Sequence, residues 1–391
     1  MSTMQANVMV LTVPRDRLRD HNAFLAREWL VTNGLGGYAS QSLLCAPTRR
    51  YHGLFVPDLP APWGRTVMMP RFDDEVLVDG EAVLLSGVEF SDGRLESHLL
   101  SVFEGFSRER QTPVWRVRVK GRRLEKRVIM PYGHNSVYVE YRLLEGDPIS
   151  LRLRPFVTFR MLDAKLHDAR RPPFPLTVVD GRYDMHLCDG APSLKMCLRP
   201  HGGTFVADYE FSTGVSYRVD RDRGSEHLES LASPGYFTAG LTQGRPLAFV
   251  ASTEPWELLE FDPEVIFEAE AKRLETLLSQ REGEPDEDIE AWLTERGYAE
   301  PLRSTARVFA VALRDYGWVI AETGCYGTSI EVDGMVNPDA KAIWESLGVV
   351  DTPEAGSMLR GLFTQDRIYV VNPSQPFPSI HPTNPGLRRL I

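Results

Sequence analysis

The sequence predicts a mainly β fold, a large antiparallel sandwich followed by a helical linker and a short mixed C-terminal segment. Three observations carry this. From about residue 9 to 253 short runs enriched in β-branched and aromatic residues recur, several alternating apolar with charged side chains, the period of a half-buried antiparallel strand. Asp-Gly pairs sit between these runs, at Asp79-Gly80, Asp92-Gly93, Asp180-Gly181 and Asp189-Gly190, where hairpin turns favour such residues. No helical pattern separates the strands, as it would in a parallel sheet.

Taken in order, residues 8–13 (Val-Met-Val-Leu-Thr-Val) open the series of strands. Residues 75–78, 114–119 and 137–141 continue it, and the β domain is expected to span 1–258. The texture then changes. Residues 263–278 begin with Pro263 and place apolar residues at helical spacing. Residues 282–288 are acidic and contain Pro285, which predicts a solvated stretch, so 259–300 reads as a helical and acidic linker. A second helix is expected over 302–313, with Val308, Phe309 and Val311 available for packing. The segment 301–391 is expected to be incomplete or divergent, with a helix starting at Asp351-Thr352-Pro353-Glu354 and an extended strap over 371–385.

Composition narrows the partners. The 391 residues suffice for two or three domains, and 42% hydrophobic with 25% charged residues is ordinary globular usage. A net charge of −10 argues against nucleic acid, whose phosphates need a basic surface, whereas a neutral polysaccharide makes no such demand. No apolar run approaches the roughly 20 residues that span a bilayer, and the N-terminus lacks a basic-then-apolar leader pattern, so no membrane partner is expected and the cytoplasm is the default. The four cysteines (Cys45, Cys188, Cys197, Cys325) match no C-x-x-C pattern. Cys188 and Cys197 could pair across a hairpin, but free buried thiols suit a reducing cytosol better. Nine histidines without H-x-x-x-H or H-E-x-x-H spacing give no metal site.

The most informative stretch is 28–53, in which Gly34, Gly36 and Gly37 mix with Trp29, Tyr38, Tyr51, Asn33, Arg49, Arg50 and His52. Glycines permit tight turns and close approach, and flat aromatics beside Arg, Asn and His suit a sugar, which has apolar ring faces and a hydroxyl rim. A Gly-rich hairpin with buried aromatics and a loop-pinning Arg would look the same. The spacing fits neither G-x-G-x-x-G nor G-x-x-x-x-G-K-[ST], and no cofactor is expected.

Glu28-Trp29-Leu30-Val31-Thr32-Asn33-Gly34-Leu35-Gly36-Gly37-Tyr38-Ala39-Ser40, followed by Thr48-Arg49-Arg50-Tyr51-His52-Gly53-Leu54, resembles the opening of the N-terminal domain of bacterial and archaeal-type glycogen debranching enzymes (amylo-alpha-1,6-glucosidases). Supporting blocks follow in the family's order: 71–76 with 78–80, Pro155 to Arg160, and Arg223 to Glu226 with Ser233 to Phe237. Together they cover about residues 20–255. The resemblance implies a many-stranded super-sandwich of the kind that precedes the catalytic barrel in several glycoside hydrolases. It also implies an α-glucan partner (glycogen or a maltooligosaccharide), bound through Trp29, Asn33, Arg49, Arg50, Tyr51 and His52.

Glycosidic cleavage takes two carboxyl groups, one protonating the leaving oxygen and one acting as nucleophile or activating water. In the resembled enzymes these lie in an (α/α)6 toroid opened by a G-Y-x-W-F-x-D-W-G-R-D-type segment. Here the sequence after Leu313 departs from that pattern and leaves about 75 more residues, too few for twelve barrel helices, so a complete α-1,6-glucosidase domain is not expected. Glu322, Glu331, Asp333 and Glu345 lie among Trp318, Tyr326 and Trp344, but solvated carboxylates explain them as well, and no catalytic residue is assigned. His52 has no identifiable nucleophile partner. Trp63-Gly64-Arg65 and Trp256 read as packing residues. Three readings stand: an α-glucan-engaging domain, an α-glucanotransferase or glucosidase in its own right, and a structural domain that packs on a helical toroid supplied in trans.

Overall fold

The computed structural model describes residues 11–13, 18, 20–109, 112–169, 172–279, 287–300, 302–307 and 310. The chain divides into two compact units, Met1–Leu278 and Ser279–Ile391. The first is mainly β, as the sequence predicts.

Its largest layer is a nine-stranded antiparallel sheet. Across it run Leu11–Val13, Phe103–Glu109, Thr112–Val119, Arg122–Ile129, Ser136–Glu145, Leu247–Ser252, Leu194–Arg199, Arg182–Met185 and Leu176–Val179. Alternation sorts its side chains. Val137, Val139, Tyr141 and Leu143 face the main core, while Tyr138 and Glu140 face the other way. A five-stranded antiparallel sheet, in the order Thr204–Val206, Tyr236–Leu241, Ile149–Phe156, Arg71–Val78 and Glu81–Leu84, lies against the inner face. Rings interlock between the layers, Phe72 with Phe249 at 4.6 Å and Tyr183 with Phe237 at 4.8 Å. A three-stranded sheet, Glu28–Thr32, Tyr38–Ser42 and Gly53–Val56, packs on the same inner side. There Trp29 meets Trp115 edge-on at 5.4 Å, and the Trp115 indole donates to the Leu43 carbonyl at 2.9 Å.

The turns follow the sequence. Asp79-Gly80 and Asp180-Gly181 have positive φ at both residues, the backbone that matches the twist of a tight hairpin. Lys120-Gly121 makes the same turn, which composition does not flag because lysine is no turn former.

One polar network is sealed between the layers. Lys126 Nζ lies 2.7 Å from Asp74 Oδ2, and the Tyr141 hydroxyl donates to the same oxygen at 2.7 Å. Burial works against the Lys126 charge, but Asp74 outweighs it and holds the ammonium protonated. Replacing such a buried pair by apolar residues of similar volume is often neutral or stabilising, whereas removing one partner alone is strongly destabilising.

The helix Pro263–Ser279 forms where the apolar spacing predicts one. Its N-terminus is capped by Asp262, whose Oδ1 accepts from the Glu264 N–H at 2.8 Å. Phe267 then joins Leu259, Ile129, Tyr138, Cys197 and Val250 in a second core on the outer face of the nine-stranded sheet. The apolar period read from 263–278 is therefore spent on the β body. Glu140, fully buried beside it, is paired with Arg127 and with Arg142 at 2.8 Å, and the Arg127 guanidinium stacks on the Phe267 ring at 4.6 Å.

In the second unit the described residues include the helix Glu287–Arg296, which occupies the end of the stretch expected to be solvated, and helical residues 302–307. Glu290 joins them, accepting from Arg303 at 2.9 Å and Arg307 at 2.6 Å. The expectations for 316–391, including Glu322, Glu331, Asp333, Glu345 and Cys325, lie outside the described residues. Cys45, Cys188 and Cys197 are buried free thiols. Among the described residues no helix is long and apolar enough to cross a membrane.

Candidate functional site

The 28–53 stretch folds into the three-stranded sheet and its two loops. Strand register sets its faces: Glu28 pairs with Ser42, Leu30 with Ser40 and Thr32 with Tyr38. These six residues share one face, and Trp29, with Ala39 and Gln41, turns to the core. On the first face Leu30 is 53% exposed, an apolar side chain amid polar ones.

The glycines are needed for contacts within the chain. Gly34 has φ +75°, and a side chain there would collide with the Tyr132 ring. Gly36 has φ +108°, and a methyl group would lie 2.6 Å from Asp58 Oδ2. Asn33 ties the loop down. Its amide donates to the His134 carbonyl at 3.0 Å and to Asn135 Oδ1 at 2.9 Å, and its own oxygen accepts from the Leu35 N–H at 3.0 Å.

The second loop, 48–52, is latched at Glu28. Arg49 Nε donates to Glu28 Oε1 at 2.8 Å, and His52 Nε2 faces the same oxygen at 3.5 Å. The His52 Nδ1 accepts from the Thr48 N–H at 3.1 Å, which assigns the ring proton to Nε2. Burial would raise the Glu28 pKa, but His52 and Arg49 outweigh it and hold the carboxyl at about 2. Glu28 is thus an ionised latch with no proton to give as a general acid.

The Arg50–Tyr51 backbone is clamped from three directions. Asp220 Oδ2 accepts the Arg50 N–H at 2.6 Å, Arg160 Nη2 donates to the Arg50 carbonyl at 2.5 Å, and the Tyr38 hydroxyl donates to the Tyr51 carbonyl at 2.5 Å. Arg160 is itself buried and paired with Glu229 at 3.0 Å, and Glu229 also accepts from the Tyr217 hydroxyl. Burial pushes the Tyr38 phenol up to about 12 against the pull of Arg65 and Arg160, so it stays a neutral donor. Above this clamp the Tyr51 ring is 38% exposed. The Arg50 guanidinium lies 4.6 Å from its centroid and donates to its hydroxyl at 2.5 Å.

The structure therefore separates the six sequence-nominated residues. Trp29 is 5% exposed, its indole donating to the Ser42 carbonyl at 3.1 Å, so it offers no open ring. Asn33 and His52 are buried and turned to protein partners. Tyr51 is exposed, and Arg49 and Arg50 are half-buried around it. Trp63 packs edge-on against Phe159 at 5.4 Å, in line with a packing role. The supporting residues Tyr38, Glu28, Arg160, Asp220 and Glu229 were not nominated. Glu28 and Tyr38 stood inside the same dense stretch and Arg160 inside a noted block, but Asp220 arrives from 170 residues away and left no local signal.

Chemically, an exposed ring backed by a fixed cation, beside hydroxyls on a rigid sheet, can stack on an apolar sugar face and hydrogen-bond its rim. Among the described residues no group of three or more His, Cys, Asp or Glu side chains is placed to hold a metal ion.

Residues 27–248, more than half of the chain, match the family model described as glycogen debranching enzyme N terminal. No curated protein matches the chain. Among solved structures, a bacterial glucoamylase complexed with acarbose is 12% identical over 70% of this chain, at a TM-score of 0.28. The chain spans 39% of that glucoamylase's length. A GalM/aldose epimerase homologue from C. elegans is 10% identical over 57% of this chain and 98% of its own, also at 0.28.

Proposed function

From the premise that the chain belongs to the glycogen debranching enzyme N-terminal family, we propose that its first unit binds an α-glucan, glycogen or a maltooligosaccharide, on the outward face of the three-stranded sheet. The observation that carries this reading is Tyr51, an exposed ring whose backbone is fixed by Asp220, Arg160 and Tyr38. Preorganisation matters because a ring already ordered loses little freedom when a sugar stacks on it. Arg49 and Arg50 form the rim, while Trp29, Asn33 and His52 support it from beneath. The free thiols Cys45, Cys188 and Cys197 suit a reducing cytoplasm.

Titration calorimetry with maltoheptaose tests the reading. Heat that saturates with the wild-type protein and is lost in Tyr51→Ala supports it, and no heat at millimolar sugar sinks it.

One observation favours a second reading. Leu30, apolar and half exposed at the centre of this face, is what a protein partner would cover, so the face could dock a helical toroid in trans. For catalysis by the first unit alone, Glu28, held ionised by Arg49 and His52, is ruled out as the proton donor. Incubation with maltopentaose and an unchanged chain-length profile would remove such catalysis.

A further inference from the structure

We propose that the helix Pro263–Ser279 is a positioning element for the Tyr51 platform, acting through Tyr132 and the glycine loop. Its apolar side covers the nine-stranded sheet, which explains Phe267 but not the next turn of the helix. There Glu270 and Arg273 pair with each other and reach the loop at 131–135. The Tyr132 N–H donates to Glu270 Oε2 at 3.4 Å, and the Arg273 guanidinium stacks on the Tyr132 ring at 4.6 Å.

The same ring is what the backbone of Gly34 packs against, closely enough to exclude any side chain there. The two loops are also stitched by main chain, with the Gly133 N–H donating to the Asn33 carbonyl at 2.7 Å. The glycine loop runs directly into Tyr38, whose hydroxyl holds the Tyr51 carbonyl at 2.5 Å. Four segments distant in sequence thus form one unbroken set of contacts: helix, Tyr132, glycine loop and Tyr51. Loosening the helix end frees the Tyr132 ring, the ring then stops bracing Gly34, and Tyr38 loses its fixed position. Affinity at the platform follows helix seating, which for its sugar-binding consequence rests on the reading proposed above.

Hydrogen exchange on the full chain tests the coupling without any ligand, since local openings expose amides in proportion to their population. In Arg273→Ala and Glu270→Gln the amides of residues 35–38 exchange several-fold faster, while those of Thr112–Val119 are unchanged. Tyr132→Phe keeps the ring and behaves as wild type. Unaltered exchange at 35–38 in Arg273→Ala overturns the coupling, as does a uniform acceleration across the first unit, which would report general destabilisation. Calorimetry with maltoheptaose then reads the consequence, expected as a several-fold weaker affinity in Arg273→Ala. Faster exchange with undiminished affinity overturns that consequence. Faster exchange where even the wild type binds no sugar upholds the coupling and sinks the saccharide reading instead.

Discussion

The phenol of Tyr38 donates to the main-chain carbonyl of Tyr51 at 2.5 Å, so the one exposed ring of the candidate site is held by the strand that follows the glycine loop. Tyr38→Phe keeps the packed ring and deletes only this bond. A hydrogen bond of this kind is worth about 1 kcal/mol. Urea unfolding should therefore show a loss of about 1 kcal/mol, and calorimetry a maltooligosaccharide affinity reduced by up to about fivefold, the equivalent of that energy if all of it serves to order the Tyr51 ring.

Trp29 should behave in the opposite way. It is buried against Trp115 and bonded to the Ser42 carbonyl, and it faces away from the platform. Trp29→Phe removes one of two donors to that carbonyl, the Cys45 N–H at 2.8 Å remaining, and leaves a gap in the core, costing about 1–2 kcal/mol in urea unfolding. Sugar affinity should hold. A large loss of affinity at preserved stability would restore Trp29 as a contact residue.

Glu28 gives a pH signature. Its folded-state pKa of about 2 lies below that of an unfolded glutamate, so its contribution is complete above about pH 4.5 and disappears as pH falls towards 2. At neutral pH the contribution is at most about 3 kcal/mol. Glu28→Gln should be less stable than wild type at pH 6, and the gap should narrow steadily as pH falls from about 4.5 towards 2. Urea unfolding of both proteins across that range is the check, and a gap that widens on acidification would contradict the latch.

The Asp74–Lys126 pair should punish single changes more than paired ones. Lys126→Met strands a carboxylate that is wholly buried, at a cost of about 3–5 kcal/mol. Lys126→Met with Asp74→Leu removes both charges and should recover much of that loss. A double-mutant cycle in denaturant measures the coupling.

How much of this could be read from residues alone depended on how local the cause was. Strand alternation and Asp-Gly turns are decided within a few residues, and the hairpins at Asp79-Gly80 and Asp180-Gly181 lie where composition places them. The importance of 28–53 was legible too, but the division of labour inside it was not. Trp29 and Tyr51 are both aromatic, but strand register against Gln41 turns Trp29 inward, whereas Tyr51 sits in the loop before Gly53 with its side chain exposed. Asp220 and Glu229 became part of the site through tertiary contacts that no spacing rule encodes. The helix at 263–278 was correctly periodic, yet its pattern could not say which surface would receive it.

That reception has a practical side. Ending the polypeptide at residue 258, where strand-like texture stops, would strip Leu259 and Phe267 from Ile129, Tyr138 and Val250 and leave Glu140 and Arg127 without their cover. A greasy strip flanked by half-solvated charges on a wide sheet invites self-association. A version ending after residue 279 keeps Leu259 and Phe267 in place and that surface covered.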